Sequence, residues 1–333
     1  MNAAAITHTH RNTYPRLVGD IGGTHARFAM VLDAEGSIQN MTRYRCEEFA
    51  TLGDAITRYL FEHARDEPRT CALGVATAIT GDFVQLTNHA WHFSIRALQE
   101  QLRVDRLLVL NDFEALALSL PALPATELRQ VGSGVPALDA PIGLIGPGTG
   151  LGVSGLLPVP GGRGQVAIGG EGGHVTLSSI DPEEAAVIQW LQRVFGHASA
   201  ERALSGPGLE NIYQAVRELA GYPRVEKPAD EITQAALAGT EETCVKTLNM
   251  FCSLLGSVAG NVALTLGARG GVYIGGGIVP QLGKWFDTSP FRERFESKGR
   301  FREYLSAIPT YVVQSAGSPA LIGASRALDR AAD

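Results

Sequence analysis

Short apolar runs that end in glycine-rich loops set the pattern of this chain. The runs lie at residues 17–18, 107–110, 142–145 and 271–274. They are too short for buried helices and predict buried strands, and glycine-rich loops follow three of them, at 19–24, 146–152 and 275–277. Because glycine lacks a Cβ and permits positive φ, such loops let backbone N–H groups approach an anion. Any one loop could be an ordinary turn, but the three together predict a protein that holds a polyphosphate.

Helical periodicity alternates with these strands. The apolar spacing over 51–65 predicts an amphipathic helix, and Asp181 followed by Pro182 predicts the start of another. A pattern rich in small residues over 241–267 predicts a long helix, while 17–32 is typical of a β-hairpin with an acidic tip. Strands that alternate with helices predict an α/β fold, in which no internal repeat is visible by eye. We expect the ligand site in a cleft between two lobes.

The composition argues for a globular protein and against nucleic-acid binding. The chain has 333 residues, of which 45% are hydrophobic and 19% charged, and its formal net charge is −6. It contains no run of Lys and Arg long enough to follow a nucleic-acid backbone. We therefore expect no nucleic-acid partner, and the length allows two domains.

The cysteines and the N-terminal segment indicate the compartment. Cys46, Cys71, Cys244 and Cys252 form no CxxC pair, and we interpret them as buried thiols of a reducing environment. Residues 1–16 lack the apolar core of a signal peptide, and no apolar stretch of membrane-spanning length is visible. The prediction is a cytoplasmic protein without membrane contact.

Three common phosphate-binding motifs can be tested directly. The chain has no GxxxxGK[ST] motif of a P-loop and no HRD or DFG companion of a protein-kinase loop. Residues 150–155 match GxGxxG, yet Pro158 and Pro160 follow where a dinucleotide-binding fold needs a helix. A dinucleotide site is therefore disfavoured.

Six sequence blocks resemble those of the bacterial ATP-dependent glucokinase family. They lie at 19–24 (GDIGGT), 111–115 (NDFEA), 146–152 (GPGTGLG), 170–174 (GEGGH), 199–202 with 205–208 (SAER, SGPG), and 275–280 (GGGIVP). Their order is that of the family, they cover most of 17–323, and only together are they specific. The family belongs to the sugar kinase and actin-like ATPase superfamily.

The resemblance implies a two-lobed α/β fold of the actin-like ATPase type, which is ribonuclease H-like, with a central cleft. It also implies a division of the chain that follows this fold. We expect a disordered leader at 1–15, a small α/β domain at 16–122 plus 313–333, and a large α/β domain at 123–312. A homodimer is a further expectation from the family.

Transfer of a phosphoryl group to a sugar needs a base beside the attacking hydroxyl. Asp112 follows the apolar strand 107–110, where a carboxylate faces a cleft rather than the core. On the pattern alone, Asp112 is equally a helix N-cap, because the residues after it look helical. The resemblance favours the base, and it makes the neighbouring Asn111 a ligand of sugar hydroxyls.

The resemblance also implies a set of sugar-binding residues. They are Gly150, Glu171, His174 and Glu201, and we expect Asn88 as an additional polar residue that lines the site. A carboxylate and an imidazole could bracket vicinal hydroxyls, one accepting and one donating. On sequence alone, Glu201 is better interpreted as a solvated partner of Arg202. His174 has no cysteine near it in sequence, so we expect no zinc and favour the non-zinc branch of these kinases.

ATP with Mg²⁺ is the nucleotide that the resemblance implies. The expected contacts are Gly19, Asp20, Ile21, Gly22, Gly23 and Thr24 from the first loop, and Gly148, Thr149, Gly276 and Gly277 from the other lobe. Asp20 is expected to hold Mg²⁺ through water. The family usually has Asn where this chain has His25, a difference that bears on nucleotide affinity and its pH dependence.

The hypothesis from these residues is a glucokinase that converts ATP and D-glucose to ADP and glucose 6-phosphate, the first step of glycolysis. Two alternatives stay open. The same fold could act on another hexose, because discrimination rests on a few hydroxyl contacts that sequence does not locate. A catalytically inactive sugar sensor is the third possibility, although Asp112 and both phosphate loops are intact.

Overall fold

The structure, a computed structural model, describes residues 13–64, 66–161, 164–315 and 317–330. Of the leader predicted at 1–15, residues 1–12 lie outside this description. The chain divides into two compact units. Unit 1 comprises Met1–Leu123 with Gly317–Asp333, and unit 2 comprises Pro124–Ala316.

Strands and helices alternate along the described chain. The strands are β1 (Arg16–Ile21), β2 (His25–Val31), β3 (Ile38–Arg45), β4 (Thr70–Val75), β5 (Phe83–Gln85), β6 (His92–Ser94), β7 (Arg106–Asn111), β8 (Leu128–Val131), β9 (Ile142–Pro147), β10 (Leu151–Pro158), β11 (Gln165–Ile168), β12 (Val272–Ile274) and β13 (Thr310–Val313). The helices are α1 (Leu52–His63), α2 (Ile95–Leu102), α3 (Asp112–Ser119), α4 (Pro182–Phe195), α5 (Gly206–Leu219), α6 (Ala229–Ala238), α7 (Glu242–Leu266), α8 (Ile278–Gln281), α9 (Phe291–Glu296), α10 (Arg302–Ser306) and α11 (Pro319–Arg330).

Unit 1 is built on a sheet of order β3-β2-β1-β4-β7. The hairpin predicted over 17–32 is confirmed, because β1 and β2 pair antiparallel with Asp20 opposite Arg27. Strands β4 and β7 add to β1 in parallel. One face of this sheet packs on α1, which begins at Thr51 with a capping box formed with Asp54.

The last helix of the chain covers the other face of the same sheet. Leu321, Ala324 and Leu328 of α11 are buried there against β1 and β2. Helix α11 crosses α3 at Gly323, where an ideal Cβ would lie only 1.6 Å from the Ala115 carbonyl oxygen. Only glycine permits so close an approach, so this position fixes how α3 is held on unit 1.

Unit 2 is built on a sheet of order β11-β10-β9-β12-β13-β8. The GxGxxG match at 150–155 falls largely within strand β10, which runs to Pro158, so no helix follows it. The hydrophobic core of unit 2 centres on α7. There, Gly256 and Gly260 lie against the backbone of Phe291 and Phe295.

By length and composition alone, helix α7 is long and apolar enough to cross a membrane. It was not identified as such a stretch from the sequence. In the most apolar 18-residue stretch of this helix, 72% of the residues are buried within the protein. It is therefore accounted for as the core helix of unit 2.

The two sheets share one strand order. In each, two antiparallel strands follow the central strand on one side, and two parallel strands follow on the other. Strands β9, β10, β11, β12 and β13 thus repeat the arrangement of β1, β2, β3, β4 and β7, with β8 added at the edge. This internal repeat of topology leaves no repeat of sequence that is visible by eye.

Candidate active site

Asn111 and Asp112 lie at the junction of β7 and α3 in unit 1. Asn111 is the N-cap, because its Oδ1 accepts a hydrogen bond from the Phe113 N–H at 2.9 Å. Its Nδ2 donates to the Thr77 carbonyl at 3.2 Å. Asp112 is the first residue of the helix, half-buried, with Oδ1 also 2.9 Å from the Phe113 nitrogen. The cap that the pattern allowed for Asp112 is therefore supplied by Asn111.

The start of α3 rests on a glycine of the neighbouring strand. An ideal Cβ on Gly74 would lie 3.1 Å from the Ala115 Cβ and 3.5 Å from the Asp112 Cα. The glycine thus lets the first turn of α3 approach β4 closely. Two positions beyond Asp112, burial raises the pKa of the half-buried Glu114 carboxyl.

Asp20 is held by two donors near the end of β1. Its Oδ2 accepts from Arg27 Nη1 at 3.0 Å and from Ser318 Oγ at 2.7 Å. Ser318 immediately precedes α11, so the beginning of that helix also positions the carboxylate. The side chain of Asp20 is 17% exposed. The sequence reading missed Arg27 as a partner, although the hairpin register alone places it opposite Asp20.

The turn between β1 and β2 exposes the residues at its tip. The Gly22 N–H donates to the His25 carbonyl at 2.9 Å, and an ideal Cβ on Gly23 would lie 2.9 Å from the Asn88 Cβ. Asn88 therefore packs directly against the turn at Gly23. Thr24 is exposed, whereas Ile21 points into the core of unit 1.

Gly19 is explained by packing within the sheet. An ideal Cβ on Gly19 would lie 2.6 Å from a methyl carbon of Leu73 on β4. Gly19 and the buried Ile21 therefore pack the hairpin against the core of unit 1. Of the six residues predicted to contact the nucleotide in 19–24, Gly19 and Ile21 are explained by packing, whereas Thr24 is exposed.

In unit 2, four of the predicted sugar-binding residues come together. Glu201 Oε2 accepts from the Leu151 N–H at 2.9 Å, and an ideal Cβ on Gly150 would lie 2.5 Å from the same oxygen. His174 Nδ1 lies 4.0 Å from Glu201 Oε1, and its Nε2 lies 3.9 Å from Glu171 Oε2. Glu201 is thus a member of this cluster rather than only a neighbour of Arg202.

Backbone pairing holds this cluster together. The Ala200 N–H donates to the Val175 carbonyl and the Leu177 N–H to the Ala198 carbonyl, both at 2.9 Å. The segments after His174 and before Glu201 therefore run side by side. Gly173 lets the segment around His174 lie directly against β10, because an ideal Cβ on Gly173 would lie 2.0 Å from the Leu151 carbonyl oxygen. The exposed fractions of the Glu171 and His174 side chains are 56% and 58%, so both are open to a ligand.

The second glycine hairpin connects β9 and β10 and meets two other glycine segments. The Gly148 carbonyl accepts from the Gly206 N–H at the start of α5, at 2.8 Å. Gly276 has φ +75°, and its ideal Cβ would lie 2.3 Å from the Pro147 carbonyl oxygen. Thr149 and Gly277 are exposed beside them. The residues predicted for the nucleotide in this lobe therefore share one glycine-lined edge.

Asp20 is the carboxylate at which the sequence predicts Mg²⁺. No group of three or more His, Cys, Asp or Glu side chains that could hold a metal ion occurs within the described ranges. Mg²⁺ needs fewer protein ligands, because it keeps several waters and shares substrate phosphates. A single fixed carboxylate such as Asp20 fits that mode of binding.

In each α/β unit, the central strand forms a glycine hairpin with the strand that follows it. These two units of shared strand order define a sugar kinase of the two-lobed actin-like ATPase type. Residues 17–331 match the family model described as Glucokinase. The chain belongs to the glucokinase family, and it is a hexokinase-type phosphotransferase that acts on glucose.

Individual relatives support this assignment. A glucokinase of Aromatoleum aromaticum is 56% identical over 324 residues, which cover 96% of each chain. The crystal structure of a glucokinase from an Antarctic psychrotroph has a TM-score of 0.85 and 35% identity, and the match covers 95% of this chain and 98% of that one. A ROK family glucokinase from Streptomyces griseus, in complex with glucose and AMPPNP, has a TM-score of 0.63 and 19% identity over 93% of this chain and 97% of its own. The last match concerns the fold alone.

Proposed function

We propose that this chain transfers the γ-phosphoryl group of ATP to the 6-hydroxyl of D-glucose, with Asp112 as general base. The observation that carries the role of Asp112 is its place at the end of β7, where Asn111 already caps α3. A carboxylate in the first turn of a helix, directly after the end of a strand, can accept the proton of an attacking hydroxyl. The products are glucose 6-phosphate and ADP.

The sugar-binding residues proposed here are Gly150, Glu171, His174 and Glu201, which cluster in unit 2, and Asn111 and Asn88 of unit 1. Carboxylates accept from hydroxyl groups, and an imidazole donates with one nitrogen and accepts with the other. Because His174 lies about 4 Å from each glutamate, a hydroxyl beside a pair can hydrogen-bond to both of its members. Glucose as the ligand is supported by the activity of the family.

For the nucleotide, we propose the tip of the first hairpin and the glycine edge of unit 2. ATP is the donor implied by the family, and AMPPNP in the Streptomyces griseus enzyme is consistent with it. Asp20 would hold Mg²⁺ through water, with Arg27 and Ser318 fixing the carboxylate. When bound, Mg²⁺ neutralises charge that develops on the phosphate oxygens.

The cellular setting is also a proposal. A cytoplasmic homodimer at the entry of glucose into glycolysis, with no nucleic-acid or membrane partner, fits the family and the net charge of −6. All four cysteines are free and buried, and burial raises the pKa of the Cys46 and Cys244 thiols to about 11. Such thiols suit a reducing compartment. Light scattering coupled to size exclusion tests the dimer.

The test is a coupled assay with Mg-ATP and a panel of hexoses, run on the wild type and on Asp112→Asn. Loss of the base should lower kcat for glucose by about a hundredfold or more, with little change in KM. Glu114→Gln, which alters a half-buried carboxyl on the same helix, is the matched control and should keep most of the activity.

Two outcomes would change the proposal. A kcat for Asp112→Asn close to that of the wild type would remove Asp112 from the mechanism. A hexose turned over faster than glucose would keep the mechanism and change the specificity, which rests on the hydroxyl contacts in unit 2.

A further inference from the structure

Four basic side chains, three arginines and a histidine, share one face of the unit 1 sheet beside the tip of the first hairpin. His25 pairs with Arg45, and Arg27 pairs with Arg43, as direct partners across β2 and β3. Residues two apart on a strand point to the same side, so all four lie on one face, which also carries Asp20 opposite Arg27. We call these four residues the basic face.

The basic face is only partly neutralised by its own surroundings. Arg27 pairs with Asp20 at 3.0 Å and Arg45 with Glu47 at 2.7 Å. Within the described ranges no carboxylate lies within 4.0 Å of the Arg43 guanidinium, which instead lies 2.8 and 3.0 Å from the two ring nitrogens of His25. Arg43 is exposed, so a ligand can reach it.

Such an arrangement costs stability in the absence of an anion. Like charges on directly opposite residues of a sheet are destabilising, and Arg27 and Arg43 stand directly opposite each other. The charge also runs against the net charge of −6 of the whole chain. Positions where a local rule is broken without compensation are expected at functional sites.

We propose that the basic face is an oligophosphate subsite that extends the phosphate site of the first hairpin, with Arg43 as its principal ligand. The inference rests on the proposed role of the segment 19–24 in holding phosphates. Guanidinium groups match phosphate oxygens in a two-pronged geometry, and Arg43 has donors not committed to any carboxylate. Its position, next but one to Asp20 across the sheet, makes the subsite continuous with the expected nucleotide contacts.

The spacing of the cations favours an extended anion. The pair of His25 and Arg45 and the pair of Arg27 and Arg43 are two residues apart along the strands, or about 7 Å. A chain of phosphates could contact both pairs, whereas a single phosphate would reach one. The triphosphate tail of a nucleotide and free inorganic polyphosphate share this chemistry.

The imidazole adds a second property to the subsite. Partial desolvation, and then the charges of Arg43, Arg27 and Arg45, lower the pKa of His25, and Glu47 opposes them only weakly. A neutral imidazole can accept from Arg43, as the geometry requires, and a bound anion would favour its protonated form. Phosphate binding should therefore be accompanied by proton uptake.

The experiment is calorimetric titration of the full-length protein with sodium tripolyphosphate, without glucose or Mg²⁺, at several salt concentrations. Arg43→Gln should weaken binding by about tenfold, the loss expected for one charge-assisted partner, and should make the salt dependence shallower. Arg43→Lys should retain part of the affinity. Arg58→Gln is the matched control, because Arg58 is an exposed arginine of the same unit paired with Glu62 on α1.

Thermal unfolding gives an independent readout. In phosphate-free buffer, Arg43→Gln should unfold at the same temperature as the wild type or slightly above it, since a like-charge contact is removed. Tripolyphosphate should raise the midpoint of the wild type and of Arg58→Gln more than that of Arg43→Gln. Equal tripolyphosphate affinity in Arg43→Gln and Arg58→Gln would overturn the inference.

Competition separates the two sources of the phosphate chain. If the subsite holds the tail of the nucleotide, tripolyphosphate competes with ATP and Arg43→Gln raises KM for ATP. If it holds a separate polyphosphate, tripolyphosphate binds without competing. Glucose turnover with Mg-ATP is measured on the same preparations, so that turnover with no effect of Arg43 on tripolyphosphate affinity would refute this subsite and leave the proposed function standing.

Discussion

The two glycine hairpins occupy the same place in two sheets of the same strand order, yet they are built differently. The hairpin of β1 and β2 carries charged side chains: Asp20 lies in an ion pair with Arg27, and His25 follows the tip. The hairpin of β9 and β10 has no titratable side chain between 146 and 152. Its tip is held by the backbone, through Gly206.

This difference shows that the repeated fold supplies the position of a loop, whereas neighbouring segments supply its chemistry. In unit 1, β3 supplies charged side chains, and Ser318 before α11 donates a hydrogen bond to Asp20. In unit 2, Glu201 accepts a hydrogen bond from the Leu151 N–H of the hairpin, and it belongs to the cluster that we propose binds the sugar. The first hairpin is therefore suited to bind by charge and the second by close backbone approach.

The largest effect is expected from filling the backbone contact in the second hairpin. Gly276→Ala places a Cβ 2.3 Å from the Pro147 carbonyl oxygen at a φ of +75°. Strain and displacement together should cost about 3 kcal/mol of the free energy of unfolding. Calorimetric unfolding measures the loss, and KM for ATP should rise in the folded fraction.

Gly148→Ala is the control for this prediction. Its ideal Cβ meets nothing within 4 Å, and its φ lies outside the left-handed region. We expect a change of at most a few tenths of a kcal/mol, as at unconstrained surface positions. Equal losses in the two variants would contradict the idea that close packing defines the second hairpin.

The next effect concerns Glu201, which links the second hairpin to the sugar cluster. Glu201→Gln keeps the shape and an acceptor oxygen but removes the charge, and charged hydrogen bonds are worth about 1.5–3 kcal/mol. We therefore expect KM for glucose to rise by about tenfold or more while KM for ATP stays within about twofold. Glu231→Gln, at an exposed position of α6, serves as the control. A rise in KM for ATP alone would place Glu201 at the nucleotide instead.

Local patterns predicted the elements that carry the site. The hairpin over 17–32 and the helix that starts after Asp181 are both confirmed. Each depends on signals within a few residues: alternation, apolar runs, and an aspartate with Pro182 at a helix start. The α/β class followed from their order, and the sugar kinase fold from the resemblance.

Features that depend on distant pairing could not be predicted in this way. The repeat of strand order is a property of hydrogen-bond partners, which sequence patterns do not reveal. Asn111 and Asp112 are both suitable N-caps, and the choice is made by the extended backbone of Asn111, with φ −64° and ψ 148°. The contact of Glu201 with Leu151 joins residues fifty positions apart, so its place in the cluster came from the resemblance and from the structure.

The smallest effect expected is a dependence of stability on pH that belongs to the first hairpin. The pKa of His25 in the folded protein is lowered, by partial desolvation first and then by Arg43, Arg27 and Arg45. As pH falls through about 6.5, the unfolded chain therefore binds a proton before the folded one does, and His25 increasingly destabilises the fold. His25→Asn should remove this cost. The unfolding temperature of the variant minus that of the wild type should therefore increase as the pH is lowered from 7.5 to 5.5.

The same measurement in an Arg43→Gln background tests the cause. Removal of the nearest guanidinium should shrink the pH-dependent effect of His25→Asn on the unfolding temperature without abolishing it, since desolvation is the larger contribution. An effect of the same size in both backgrounds would show that the charge of Arg43 on β3 does not act on the first hairpin. The contrast between a charged and a neutral hairpin would then rest on Asp20 and Arg27 alone.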